Sequence, residues 1–173
     1  MRTVHLLRHA KSSWADPGMA DIDRPLAPRG EQAALRIAAH LRANAITPDL
    51  VLCSSARRTQ QTLAVVRTVW PDDTEVLVEE ALYGATASEL LERLRALNDG
   101  VTSVLVIGHN PGLHDLALRL AGSGDDALVD DLSTNLPTGA LATLTFDTAW
   151  KKLDRGTARL EGFVVPRNLP AVD

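Results

Sequence analysis

The chain has 173 residues, 45% of them hydrophobic, and a formal net charge of −4 at neutral pH. That length suits one globular domain spanning residues 1–173 with a sizeable core, and the acidic balance argues against a general nucleic-acid or membrane-surface binder, since those carry a basic excess. No apolar run approaches the roughly 18 residues of a membrane span, the N-terminus lacks the pattern of a signal peptide, and Cys53 as the only cysteine leaves no intramolecular disulfide, so a cytoplasmic location is expected.

In chain order, Thr3–Leu7 is short, apolar and suited to a strand covered on both faces, and it runs directly into Arg8, His9 and Lys11. A strand normally ends in a turn signal; this cluster of basic groups suggests that an anion belongs beside it. Ala34, Ile37, Ala38 and Leu41 mark one face of a helix. Leu50–Cys53 is a second strand, followed by SSARRTQQT, in which Ser54 or Ser55 is expected to cap a helix bearing Arg57 and Arg58 in its first turn and Thr62, Val65, Val66 and Val69 on its inner face. Ala87, Leu90, Leu91 and Leu94 predict a third helix, with Thr86 and Glu89 as its capping box. Val104–Ile107 is another strand; after it come His109, Asn110 as a cap, Pro111 as a first helical residue, and a helix face of Leu113, Leu116, Ala117 and Leu120. Gly122–Asp126 reads as a loop, and 140–147 and 158–165 read as an antiparallel strand pair at the sheet edge. The expected fold is α/β: a three-layer α/β/α sandwich with a mostly parallel central sheet and an antiparallel C-terminal edge pair.

In such sheets ligands bind beyond the carboxyl ends of the strands. Three separate strand ends offer Arg8 and His9, Arg57 and Arg58, and His109 to that crevice. Cations in the first turn of a helix oppose its dipole by about 0.3–1 kcal/mol each, an arrangement that makes sense when an anion lies between them. The combination predicts a phosphate site, with Lys11 and Asn110 as further candidate phosphate contacts. His5 lies inside a strand and His40 inside a helix. His114 is off the spacing that would share a helix face with His109, so no metal site is expected.

These residues resemble the histidine phosphatase superfamily, which includes the phosphoglycerate mutases. LLRHA with the later GH resembles the family's Arg-His-Gly and second-histidine motifs, and PLAPRGEQA at 25–33 is similar to its Leu-Thr-x-x-Gly-x-x-Gln-Ala stretch. Ser54, Arg58, Gln61 and Thr62 fall at the spacing of Ser-Pro-x-x-Arg-Ala-x-Gln-Thr, which singles out Arg58 over Arg57. Departures are Ala10 for the signature glycine, Ser55 for proline and Thr59 for alanine. The short chain, with RHAKSSW, DRPLAPRG and GHNPGL, most resembles the SixA-type phosphohistidine phosphatases.

The resemblance implies a metal-independent phosphatase without a cofactor. His9 would be the nucleophile, forming a covalent phosphohistidine, and Arg8, Arg58 and His109 would stabilise the transferred phosphoryl group. EALYG at 80–84 nominates Glu80 as general acid. Arg24 either contacts phosphate or substrate, or pairs with Asp21 or Asp23. The substrate implied is a phosphohistidine protein, with a small phosphorylated metabolite as the alternative; no nucleic-acid or membrane partner is expected, and the oligomeric state stays open, a monomer being compatible with the sequence. Two other classes stay open: a non-catalytic phosphate-binding module, and a cysteine-dependent phosphatase built on Cys53, whose spacing to the arginine misses by one.

Overall fold

The computed structural model describes residues 1–173, and its frame is one continuous seven-stranded sheet. The strands are β1 (Arg2–Arg8), β2 (Leu50–Ser54), β3 (Glu75–Glu79), β4 (Ser103–Gly108), β5 (Ala121–Gly124), β6 (Leu141–Phe146) and β7 (Ala158–Val164), in the order β3-β2-β4-β1-β6-β7-β5. Only β6 runs against its neighbours; β3, β2, β4 and β1 are mutually parallel, and β5 is parallel to β7. The helices are α1 (Pro28–Ala43), α2 (Arg57–Val66), α3 (Ala87–Arg95), α4 (Gly112–Leu120) and α5 (Asp126–Thr134).

The apolar strands separate two cores because alternate side chains point to opposite faces. Val4 and Leu6 of β1, Leu50 and Leu52 of β2, and Val104 and Val106 of β4 pack with α3 and α4; Leu7, Val51, Cys53, Leu105 and Ile107 pack with α1 and α2. The helix faces expected from periodicity are buried at Ala34, Ile37, Ala38 and Leu41 in α1 and at Leu90, Leu91 and Leu94 in α3. The Thr86 and Glu89 capping box is formed, with both hydrogen bonds at 3.2 Å.

Four expectations need correction. The C-terminal pair is antiparallel, but it does not form the edge: β6 lies beside β1, and the border is β5, within the stretch read as a loop. Ala-Gly-Ser-Gly lacks the apolar alternation of a strand; it pairs here because Gly122 lets the chain approach so closely that a Cβ would meet Gly156 O at 2.0 Å. Neither Ser54 nor Ser55 caps α2 with its side chain, whose N-cap is Ala56. Asn110 does not cap α4, which starts at Gly112 with Pro111 as its N-cap: its Nδ2–H donates to Leu136 O at 2.8 Å, and its Oδ1, the atom a cap would use, has no partner. The edge strand β3 and helix α5 went unassigned: β3 has no fully buried residue and α5 buries only Leu132, so neither carries a strong period.

Candidate active site

The carboxyl ends of β1, β2 and β4, adjacent in the sheet, bring Arg8, His9, Arg58 and His109 together. His9 is 6% exposed, and its backbone is held from three sides: its N–H donates to Gly108 O of β4 at 3.1 Å, its carbonyl accepts from Gly139 N at 2.9 Å, and Ala10 N–H donates to Thr62 Oγ1 of α2 at 3.0 Å. Ala10 takes up none of the left-handed backbone that a glycine would be needed for, so the departure from the family signature is accommodated.

The His9 ring has one defined tautomer. Nδ1 lies 2.7 Å from Ala10 O, which can only accept, so Nδ1 carries the proton and Nε2 keeps its lone pair. Arg58 Nε–H faces that lone pair at 3.4 Å. Burial, followed by the nearby charges of His109, Arg58 and Arg8, pushes the His9 pKa down to about 3, although the Ala10 hydrogen bond acts the other way. His9 is therefore neutral around pH 7.

Arg58, in the first turn of α2, is also 6% exposed and donates in several directions: Nη1 to Asp21 O at 2.7 Å, and Nη2 to Asp21 Oδ2 at 3.1 Å and towards His109 Nδ1 at 3.5 Å. The next residue back, Arg57, is exposed and reaches only Asp23 O at 3.5 Å. The rings of His9 and His109 lie 5.3 Å apart, and His109 Nε2 is 2.7 Å from Ser54 Oγ. A hydroxyl can donate or accept, so Ser54 permits either tautomer of His109, but Arg58 Nη2 can only donate, and its approach to Nδ1 favours the tautomer in which Nδ1 keeps its lone pair and Nε2–H donates to Ser54 Oγ. Burial, then Arg58, lowers the His109 pKa to about 4. Arg8 donates to Leu136 O at 3.1 Å and keeps a buried Nε–H without a partner.

The carboxylate that touches this cluster is Asp21. Its oxygens accept from Arg58 and from the Tyr83 hydroxyl, and pair with Arg24 Nε at 3.3 Å. The Tyr83 and Arg58 hydrogen bonds, with the two arginine charges, hold its pKa below the usual carboxylate range. Arg24, 6% exposed, also donates to Ser12 Oγ at 2.6 Å and stacks on Trp14 at 3.5 Å from the ring centroid. Of its sequence alternatives, the contacts realise the pairing with Asp21. Asp21 could be read from the sequence only as a partner for Arg24; its reach across to Arg58 and Tyr83 had no local signal.

The other candidates make no side-chain hydrogen bond to this cluster. Glu80 is exposed at the start of a 3-10 turn and its carboxylate makes no hydrogen bond or ion pair, whereas Tyr83 of the same stretch sets its ring 5.4 Å from that of His109. Asn110 is directed at Leu136 O. Lys11 is exposed and lines a groove with α1 and the C-terminal segment. Cys53 is fully buried in the core beneath α1 and α2, and burial raises its thiol to about 12, so the cysteine-dependent alternative has no accessible nucleophile. His5, hydrogen-bonded to Thr143 Oγ1 at 2.9 Å, and His114, bonded to Leu132 O at 2.6 Å, serve the scaffold.

The sequence profile of the histidine phosphatase superfamily (branch 1) matches residues 4–83. An uncharacterised protein of Mycobacterium tuberculosis is 44% identical over 163 residues, covering 93% of this chain and all of the relative. Among solved structures, a candidate phosphohistidine phosphatase SixA from Nakamurella multipartitia superposes with a TM-score of 0.82 at 32% identity, over 95% of this chain and 96% of the other. The protein histidine phosphatase SixA complexed with tungstate superposes at 0.77 with 26% identity, over 96% and 98% of the two chains.

Proposed function

Given that this chain belongs to the histidine phosphatase superfamily and is a phosphatase, we propose that it works through a covalent phosphohistidine at His9 and that its substrate is phosphohistidine carried on a protein. The observation that carries the first part is the unprotonated Nε2 of His9, fixed by the Ala10 carbonyl and faced by Arg58. The Nε2 lone pair forms the bond to phosphorus as the bond to the leaving group breaks, and the leaving group keeps that electron pair. Arg8, Arg58 and His109 hold the equatorial oxygens of the loose transition state. Water then attacks phosphorus from the vacated side, the N–P electrons return to Nε2, and phosphate carries away the oxygen and its protons.

The leaving group supports the second part. An alcohol departing as alkoxide needs a proton, but the carboxylate touching the site, Asp21, is held ionised, and Glu80 is without contacts to it. A phosphohistidine whose other ring nitrogen is protonated leaves as neutral imidazole and needs no donor. The solved SixA relatives point the same way. A phosphatase acting on small phosphorylated metabolites is the second reading.

Turnover of a phosphohistidine peptide compared with a panel of phosphomonoesters, after exhaustive chelation, tests this proposal. We expect chelator-resistant activity and a preference for the P–N bond. Rapid quenching should trap label on His9 as an acid-labile, base-stable adduct. Faster hydrolysis of an ester, or label that survives acid, would overturn it.

A further inference from the structure

A groove of about 670 Å³ opens between the first half of α1, the loop Leu136–Gly139 and the C-terminal residues 165–167. Lys11, Arg29, Arg36 and Arg167 line it against a single acid, Glu31, a net charge of +3 in a chain whose total is −4. None of the four cations has a carboxylate partner among the ion pairs of the protein; Arg36 Nη1 donates to the carbonyls of Pro166 at 3.3 Å and Leu169 at 3.5 Å, whereas the side chains of Lys11, Arg29 and Arg167 make no hydrogen bond. The wall along α1 is one helix face, because Arg29, Gln32, Ala33 and Arg36 follow the i, i+3, i+4, i+7 spacing and lie opposite the buried face of Ile37 and Leu41.

The groove is joined to the phosphate site by shared backbone. Lys11 is two residues beyond His9, and its carbonyl accepts from Ala27 N at the start of α1 at 2.9 Å. On the other side, Pro137 and Thr138 line the groove, while the flanking Leu136 O accepts from Arg8 and Gly139 N donates to both Arg8 O and His9 O. A chain leaving the phosphate site in this direction meets the groove within a few residues.

We infer that this groove binds an acidic segment, flanking the phosphohistidine, of the phosphorylated protein substrate. The inference rests on the proposed function and names the kind of protein it acts on. Two features favour a peptide over a compact polyanion. Arg29 and Arg36 stand two turns apart, about 10 Å along the helix, which matches roughly three residues of extended chain. The same groove is lined by the exposed Pro28, the half-buried Pro137 and the edges of the buried Val165 and Pro166, apolar surface suited to a backbone and its non-acidic side chains.

The test uses the full chain and three phosphohistidine peptides of equal length, carrying a glutamate, a glutamine or a lysine tract, plus a fluorescent glutamate-tract peptide without phosphate. We expect the unphosphorylated peptide to bind in low salt and to lose about tenfold in affinity in the variant Arg29→Glu, Arg167→Glu, which takes the groove from +3 to −1. The same variant should raise KM for the phosphorylated glutamate peptide without changing kcat, and leave hydrolysis of phosphoramidate, which cannot reach the groove, unaltered. Equal binding to wild type and variant, or tighter binding of tripolyphosphate than of the peptide, would overturn the groove assignment. Groove binding that persists while no phosphohistidine peptide is hydrolysed would instead overturn the substrate reading and leave the groove as an acidic-peptide site.

Discussion

Adjacent arginines on one helix turn test the geometry of the site most directly. Neighbours on a helix diverge by about 100°, so only one of Arg57 and Arg58 can face His9, and it is Arg58 that donates to His9, Asp21 and His109. Arg58→Ala should lower kcat/KM by about 10²–10³, the loss typical of removing one preorganised donor, with a His109 substitution similar and Arg57→Ala mild. A larger effect from Arg57 would place the wrong face of α2 in the pocket. A second comparison concerns the carboxylates. Asp21→Asn removes charge-assisted hydrogen bonds to Arg58 and Tyr83 and should cost about tenfold in kcat/KM, while Glu80→Gln, which breaks no contact, should stay within about twofold on esters and phosphohistidine alike. A strong Glu80 effect confined to esters would restore it as the proton donor.

At the scale of elements, the site depends on strand ends being registered by a loop far away in sequence. Gly139 has φ +77°, a region that disfavours residues with a side chain, and a Cβ there would approach Pro166 Cγ to 2.8 Å. Its N–H nevertheless donates to the carbonyls of both Arg8 and His9. Gly139→Ala should therefore destabilise the fold by about 1–3 kcal/mol and, unlike an ordinary surface change, reduce kcat/KM through a shifted His9. Urea unfolding with steady-state assays checks both; a variant with lowered stability and full activity would show that the loop supports the fold alone. Thr86→Ala in the capping box of α3, remote from the nucleophile's supports, should cost about 1 kcal/mol of stability.

For the whole molecule, buried neutral imidazoles tie stability to pH. His5 and His9 are each 6% exposed, with pKa values lowered by burial from 6.5 to about 4 and about 3. Between those values and 6.5 the unfolded chain binds protons that the folded chain refuses, so stability falls as pH drops through that window, by about 1.4 kcal/mol per unit for each ring. Unfolding free energies at pH 7 and pH 5 should differ by a few kcal/mol, and His5→Gln should remove part of the difference. Identical denaturation midpoints at the two pH values would mean that these rings are not buried neutral in solution.

How far the sequence reaches depends on how local the determining physics is. Apolar runs in β1, β2 and β4, the 3.6-residue period of α1, α3 and α4, and the Thr86 capping box are local patterns, and they were legible. The gathering of Arg8, His9, Arg58 and His109 was legible too, because neighbouring parallel strands send their ends to one crevice and the motif spacing singled out one arginine. What the tertiary structure alone decided is every contact made across that crevice. Asp21 meets the cluster only when the loop before α1 folds against α2, and Tyr83 rather than Glu80 makes the contact from their shared short stretch, Glu80 being exposed and without a hydrogen bond to the cluster. The side-chain N–H groups of Asn110 and Arg8 both donate to one distant carbonyl, that of Leu136, a convergence with no local signal in either segment. The position of β5 at the border and of β6 inside the sheet likewise follows from which edges pair, a choice made by packing among strands far apart in the chain and leaving no period to read within either segment.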